Sequence, residues 1–182
     1  MKKLILSLLL SAVINLINAQ AYYTKNGYIA FYSKAPVENI KADNNQVLCI
    51  LSAQSGQLQF SLLIKNFHFE KALMEEHFNE NYLESDKFPK ANFKGTIMDI
   101  KAINFTKDGE YMVNVSGDLI LHGVTKKIYV PGSITIKSGK IYIQSKFIIN
   151  LADYNIHISN AVKNNISPTP EISVSCNLDN IK

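Results

Sequence analysis

Glu76, His77 and Glu80 are the first residues that invite a chemical reading, and they lie in the stretch LMEEHFNENYLESDKFPKANFKG at residues 73–95. A histidine with carboxylates beside it and one turn on supplies the parts of an acid/base group or of a metal site. A metal site, however, needs three or four converging ligands, usually with more than one His or Cys among them. His68, His122 and His157 fall on separate segments, and neither an H-E-x-x-H run nor a closely spaced Cys pair completes a set. Nucleophilic chemistry fares no better: the sequence holds no G-x-S-x-G elbow and no Walker or Rossmann glycine pattern. Tryptophan is absent, and no carboxylate pair stands in sugar-binding surroundings. No catalytic residue, metal or cofactor is therefore expected.

The segment that carries these residues has its own pattern. Over residues 70–83, Met74, Phe78 and Tyr82 recur at i, i+4 and i+8, with Glu75, Glu76, Asn79 and Glu80 on the other side. That spacing predicts one short amphipathic helix. Its soft apolar stripe suits either ordinary core packing or the lining of an apolar ligand site.

Nearly everything else alternates with period two. Leu58, Phe60, Leu62 and Ile64 share one face, as do Val113, Val115, Leu119 and Leu121. Ile128, Val130, Ile134 and Ile136 repeat the pattern, and so do Ile141, Ile143, Phe147 and Ile149. One dry face and one wet face mark antiparallel strands, because parallel strands covered on both sides read as unbroken apolar runs. Eight strands are expected, at 28–33, 46–53, 57–66, 91–103, 110–121, 126–136, 140–151 and 171–179. Asn26-Gly27, Ser55-Gly56, Asp108-Gly109, His122-Gly123 and Ser138-Gly139 read as turns. Gly95, Gly117 and Gly132 fall in or beside strand patterns, where glycine marks a bend. Long strands with such bends favour a closed eight-stranded antiparallel barrel over a sandwich. A barrel of that size is either filled by its own side chains or holds one small ligand.

Composition narrows the class further. Lys2 and Lys3 precede an apolar run at 4–17 that ends at NAQA, so residues 1–21 read as a secretory signal peptide and 22–182 as one domain. The run is shorter than the ~18 residues of a spanning helix, so no transmembrane segment is expected. The formal net charge of +4 falls to +2 without Lys2 and Lys3, and the basic residues are lysines scattered along the chain. Nucleic acid as a partner is disfavoured, since it calls for clustered Lys and Arg. Cys49 and Cys176 can pair in an oxidising compartment, or stand as small buried apolar residues.

Three stretches then resemble the YceI-like domains: FHFEKALMEEHFNENYLESDKFPKANFKGTI at 67–97, GDLILHGVTKKIYVPGSI at 117–134 and SKFIINLADYNIHI at 145–158. The G-x-L-x-x-H-G-V-T-K pattern at 117–126 is the most specific of them. The resemblance covers nearly all of the chain after the leader. It implies an all-β, lipocalin-like antiparallel barrel, exported to the periplasm or beyond, that encloses an isoprenoid or other lipid-like small molecule. Relative to longer members, the connection at 34–45 and the N-terminal hairpin depart from the pattern. An isoprenoid chain gains about 0.8 kcal/mol for each CH₂ buried. The lining expected for it is Phe60, Leu62, Ile64, Met74, Phe78, Tyr82, Val113, Val115, Phe147 and Ile149. Lys71, Lys126 or Lys127 can meet a phosphate at the mouth. Two alternatives stand beside this reading: an enzyme acting on such a lipid, and a solid barrel that binds a protein partner. A homodimer is compatible with all three.

Overall fold

The computed structural model describes residues 20–180. The signal peptide expected over 1–21 lies almost wholly outside the described residues. The strands are β1 (Ala21–Lys34), β2 (Asn39–Ser52), β3 (Gln57–Leu63), β4 (His68–Phe69), β5 (Lys90–Ile97), β6 (Gly109–Leu121), β7 (Val124–Lys137), β8 (Lys140–Ile148) and β9 (Glu171–Asn180). Every pairing is antiparallel, in the order β1-β9-β8-β7-β6-β5-β3-β2, and β2 returns to β1. Eight strands thus close a barrel. The two-residue β4 pairs with Ala42 and Asp43 of β2, outside that ring. A short helix α1 (Ala72–His77) runs into a π-helical turn at Phe78–Tyr82 between β4 and β5.

Alternation positions the core as expected. Leu58, Leu62, Ile97, Val115, Ile134, Ile136, Ile141, Ile143, Val174, Cys176 and Leu178 are all buried. Their outward neighbours are mostly polar, so each strand has one dry side. Two hairpins use the tightest turn the sequence offered. His122 and Gly123 have φ of 49° and 73°, and Ser138 and Gly139 have 51° and 76°. Positive φ at both central residues is the type I′ geometry whose twist matches the flanking strands.

Four local differences from the sequence reading have physical causes. Asn26-Gly27 is not a turn but an irregularity inside β1, where the register to β2 and β9 shifts. Glycine is required there because a Cβ would lie 2.6 Å from the Cys176 Sγ. Asp108-Gly109 is not a turn either; the Asp108 carboxylate instead accepts the Ser138 N–H at 2.9 Å, tying the β5–β6 connection to the β7–β8 turn. The stretch at 34–45 is mostly strand, because β2 begins at Asn39. The strand expected to run to 103 stops at Ile97, where Asp99 takes φ of 61° and a 3₁₀ turn, Ile100–Ala102, follows.

That last turn closes one end of the barrel. Ile100, Ile103 and Phe105 pack onto the buried cluster of Leu58, Ile97, Ile136 and Leu178, with Phe105 stacked on Tyr22 at 6.1 Å. The opposite end is capped by α1, the β1–β2 turn and the segment at 151–170. Three ties hold that cap together. Lys71 pairs with Glu38 at 2.5 Å, the Val37 N–H donates to the Asn164 carbonyl at 3.0 Å, and the Ser167 N–H donates to the Ser33 hydroxyl at 2.8 Å.

Candidate ligand cavity

Between the plugged end and the capped end the barrel is hollow. The cavity measures about 430 Å³ and its wall is overwhelmingly apolar. That volume lies within the ~300–1,000 Å³ of sites that enclose small-molecule ligands. The hollow survives because inward-facing positions are kept small where the wall bends. Gly95 and Gly117 face each other across β5 and β6, and a Cβ on Gly117 would lie 2.4 Å from the Gly95 Cα. The Phe93 ring folds over this pair, so the wall is sealed without filling the interior.

All ten residues named from the sequence stand on the cavity wall. Phe60, Leu62 and Ile64 come from β3 and the turn after it, and Val113 and Val115 from β6. Phe147 and Ile149 come from β8 and its end, and Met74, Phe78 and Tyr82 from α1 and its π turn. The helix therefore lies over the apolar interior. Phe78 anchors it, meeting Phe31 at 5.5 Å, Phe67 at 5.5 Å and Phe69 at 5.0 Å. Such aromatic clusters add packing energy beyond the area they bury. Sequence reasoning missed Phe31 and Phe93, which also line the wall. Phe31 alternates in step with Ile29 on β1 and was legible; Phe93 needed the glycine pair to explain where its ring goes.

Of the three residues that raised a catalytic reading, only His77 reaches the cavity. Its Nδ1 faces the Asn81 amide at 2.9 Å, and the side chain is exposed at the rim. Glu76 and Glu80 are exposed and make no hydrogen bond to it among the described residues. No group of three or more His, Cys, Asp or Glu is placed to hold a metal among the described residues. Cys49 and Cys176 are both buried and free. A hydrogen bond to Cys176, together with burial, holds the Cys49 thiol above its ordinary range. Lys71 is engaged by Glu38, and Lys126 and Lys127 are exposed on β7.

The polar residues that matter most to the cap lie elsewhere. The His122 Nε2 meets the Glu84 carboxylate at 2.7 Å, and its Nδ1 meets the Tyr154 carbonyl at 3.0 Å. Both partners are hydrogen-bond acceptors. The edge of Phe88 packs on the same ring at 4.6 Å, and a Cβ on Gly123 would lie 2.5 Å from Phe88. One histidine thus clasps the end of the helical segment, the β6–β7 turn and the 3₁₀ turn at Leu151–Tyr154. His122 and Gly123 of HGVT form a structural joint.

Comparison with known proteins agrees with this architecture. No curated protein matches the chain. Among solved structures, a polyisoprenoid binding domain from Saccharophagus degradans, implicated in plant cell wall breakdown, superposes with a TM-score of 0.75 at 16% identity, covering 88% of this chain and 98% of that one. Burkholderia cenocepacia BcnA gives 0.69 at 14% identity, over 84% and 96%. The Campylobacter jejuni YCEI protein gives 0.59 at 18% identity, over 80% and 87%. At these identities the likeness is one of fold. The family model for the YceI-like domain matches residues 26–178, and the chain belongs to the YceI-like family.

Proposed function

We propose that this chain is exported and holds a polyisoprenoid or other long-chain amphiphile inside its barrel, without transforming it. The observation that carries the reading is the cavity of about 430 Å³, hollow and walled by aliphatic and aromatic side chains. A barrel built only to be stable fills such a space, because an interior void forfeits packing energy. An apolar chain restores those contacts and leaves water as it enters. The resemblance to a solved polyisoprenoid binding domain supports the same class of ligand. The leader-like pattern at 1–21 supports export to the periplasm or beyond.

Chemistry on the ligand lacks support, because among the described residues the wall shows no nucleophile hydrogen-bonded to a base. Retention needs only apolar burial and shape. A fluorescent fatty acid titrated into the purified protein should bind saturably and be displaced by farnesol. Phe60→Ala, which removes a ring from the wall, should weaken binding by about tenfold to a hundredfold, from the ~1.5–3 kcal/mol of a buried large side chain. Gln59→Ala, on the outer face of the same strand, should leave it unchanged. Equal effects of the two substitutions, or an absence of saturable binding, would overturn the reading.

A further inference from the structure

The barrel wall has a seam that backbone hydrogen bonds leave open. β7 and β8 pair from Lys137↔Lys140 as far as Gly132↔Ser145 and no further, although β7 reaches back to Val124 and β8 runs on to Ile148. Pro131 stands where they part. It has no N–H to donate, and its carbonyl already accepts the Ser145 hydroxyl at 2.6 Å, so the next rung does not form. Beyond that point β7 stays bonded to β6, and β8 to β9. Among the described residues no backbone bond links the two separated stretches.

The cavity extends into this seam. Alternation puts Gly132, Ile134, Ile143 and Ser145 on the inner face, and Ser133 and Gln144 on the outer face, yet all six line the cavity. The lining of the hollow thus includes both strands at the seam. Small residues, Gly132 and Ser145, stand at the last rung, while Ile128, Val130 and Phe147 flank the gap within. On the outer lips, Tyr129 is 69% exposed and Ile148 is 66% exposed. Large apolar side chains left bare beside an apolar seam are what a hydrocarbon chain crossing that seam would meet.

We infer that the cavity is a passage with a side port between β7 and β8, through which a chain longer than the barrel emerges and lies over Tyr129 and Ile148. This rests on the ligand class proposed above and deepens it. The far end is plugged by Ile100, Ile103 and Phe105, so excess chain cannot leave there. A blind pocket penalises length; a passage tolerates it. The ligand class that follows is an isoprenoid of many units, held by part of its length.

Binding of farnesol and of the much longer solanesol, each by displacement of a fluorescent fatty acid from the full chain, separates the two ideas. The unaltered protein should bind solanesol at least as tightly as farnesol. Tyr129→Ser with Ile148→Ser should weaken solanesol by about tenfold, as contact with two or more methylenes is lost, and leave farnesol within about twofold. These side chains face solvent, so the fold is not at risk. Weaker binding of solanesol than of farnesol to the unaltered protein overturns the passage, as does an equal loss of both ligands in the lip variant. Failure of both probes to bind at all overturns the proposed function itself, and the passage with it.

Discussion

His122 shows how one side chain can organise a lid. Its side chain is only 9% exposed, and both nitrogens are used on partners from different segments. Replacing it with alanine leaves the carbonyl of buried Tyr154 without a donor and breaks a charge-assisted bond to Glu84. Solvent reaches Glu84, whose side chain is 43% exposed, so that bond is discounted. The cost of His122→Ala is then set mainly by the buried carbonyl and the lost packing on Phe88, about 2–3 kcal/mol. Denaturant unfolding should register it as a lower midpoint at unchanged slope. His157→Ala, at an exposed position on the next segment, should stay within about 0.5 kcal/mol. Equal behaviour of the two variants would contradict the clasp. At this scale the sequence was only partly informative. The apolar wall residues were legible because alternation alone assigns a face. The role of His122 was not, since its partners stand 38 and 32 positions away and no local spacing marks them.

Strands with one dry side announced themselves, and the eight that close the barrel were all visible in the pattern. Their ends were not, because what stops a strand is often a tertiary partner. β2 is the clearest case. Its first half carries Asp43, Asn44 and Asn45, within the stretch at 34–45 read as a connection, yet it pairs with β1 from Lys34↔Asn39 onward. The register slips within this stretch, since Ile29 faces Asn44 while Gly27 faces Val47. Asn44 makes the slip tolerable. It is fully buried, donates to the Leu63 carbonyl at 3.0 Å and accepts the Gln46 N–H at 2.8 Å, so a polar side chain stands in for missing rungs. Asn44→Ala would strand both backbone groups, at about 1–3 kcal/mol. For a domain of this size each kcal/mol lowers the thermal midpoint by about 2–4 °C. A melt that moved by less than about 1 °C would show that the joint is dispensable. The helical stretch expected over 70–83 runs over 72–82 but changes type on the way. Its stripe is real, but after His77 the turn widens, with the Leu83 N–H donating to the Phe78 carbonyl at 2.9 Å. The Asn79 side chain donates to the Glu75 carbonyl at 2.9 Å and competes with the regular ladder.

As a whole the molecule is a bottle with a firm base and a jointed cap. The base is a continuous buried cluster in which strand pairing and the Ile100–Ala102 turn exclude water. The cap is assembled from separate pieces held by an ion pair, a few backbone bonds and the His122 clasp. Whether the inside of a small barrel is filled or hollow was not legible in the sequence. The same alternation serves both, and the difference turns on how ring and glycine positions fall against one another, as at Phe93, Gly95 and Gly117. The central claim is that this hollow is kept for a greasy guest. Mass spectrometry of the organic extract of protein purified from its native host, without added lipid, tests it most directly. The account predicts a discrete isoprenoid or long-chain amphiphile in near-stoichiometric amount, depleted in the extract of Phe60→Ala. Repeated extracts with no amphiphile above the level carried by an unrelated protein prepared in parallel would contradict it.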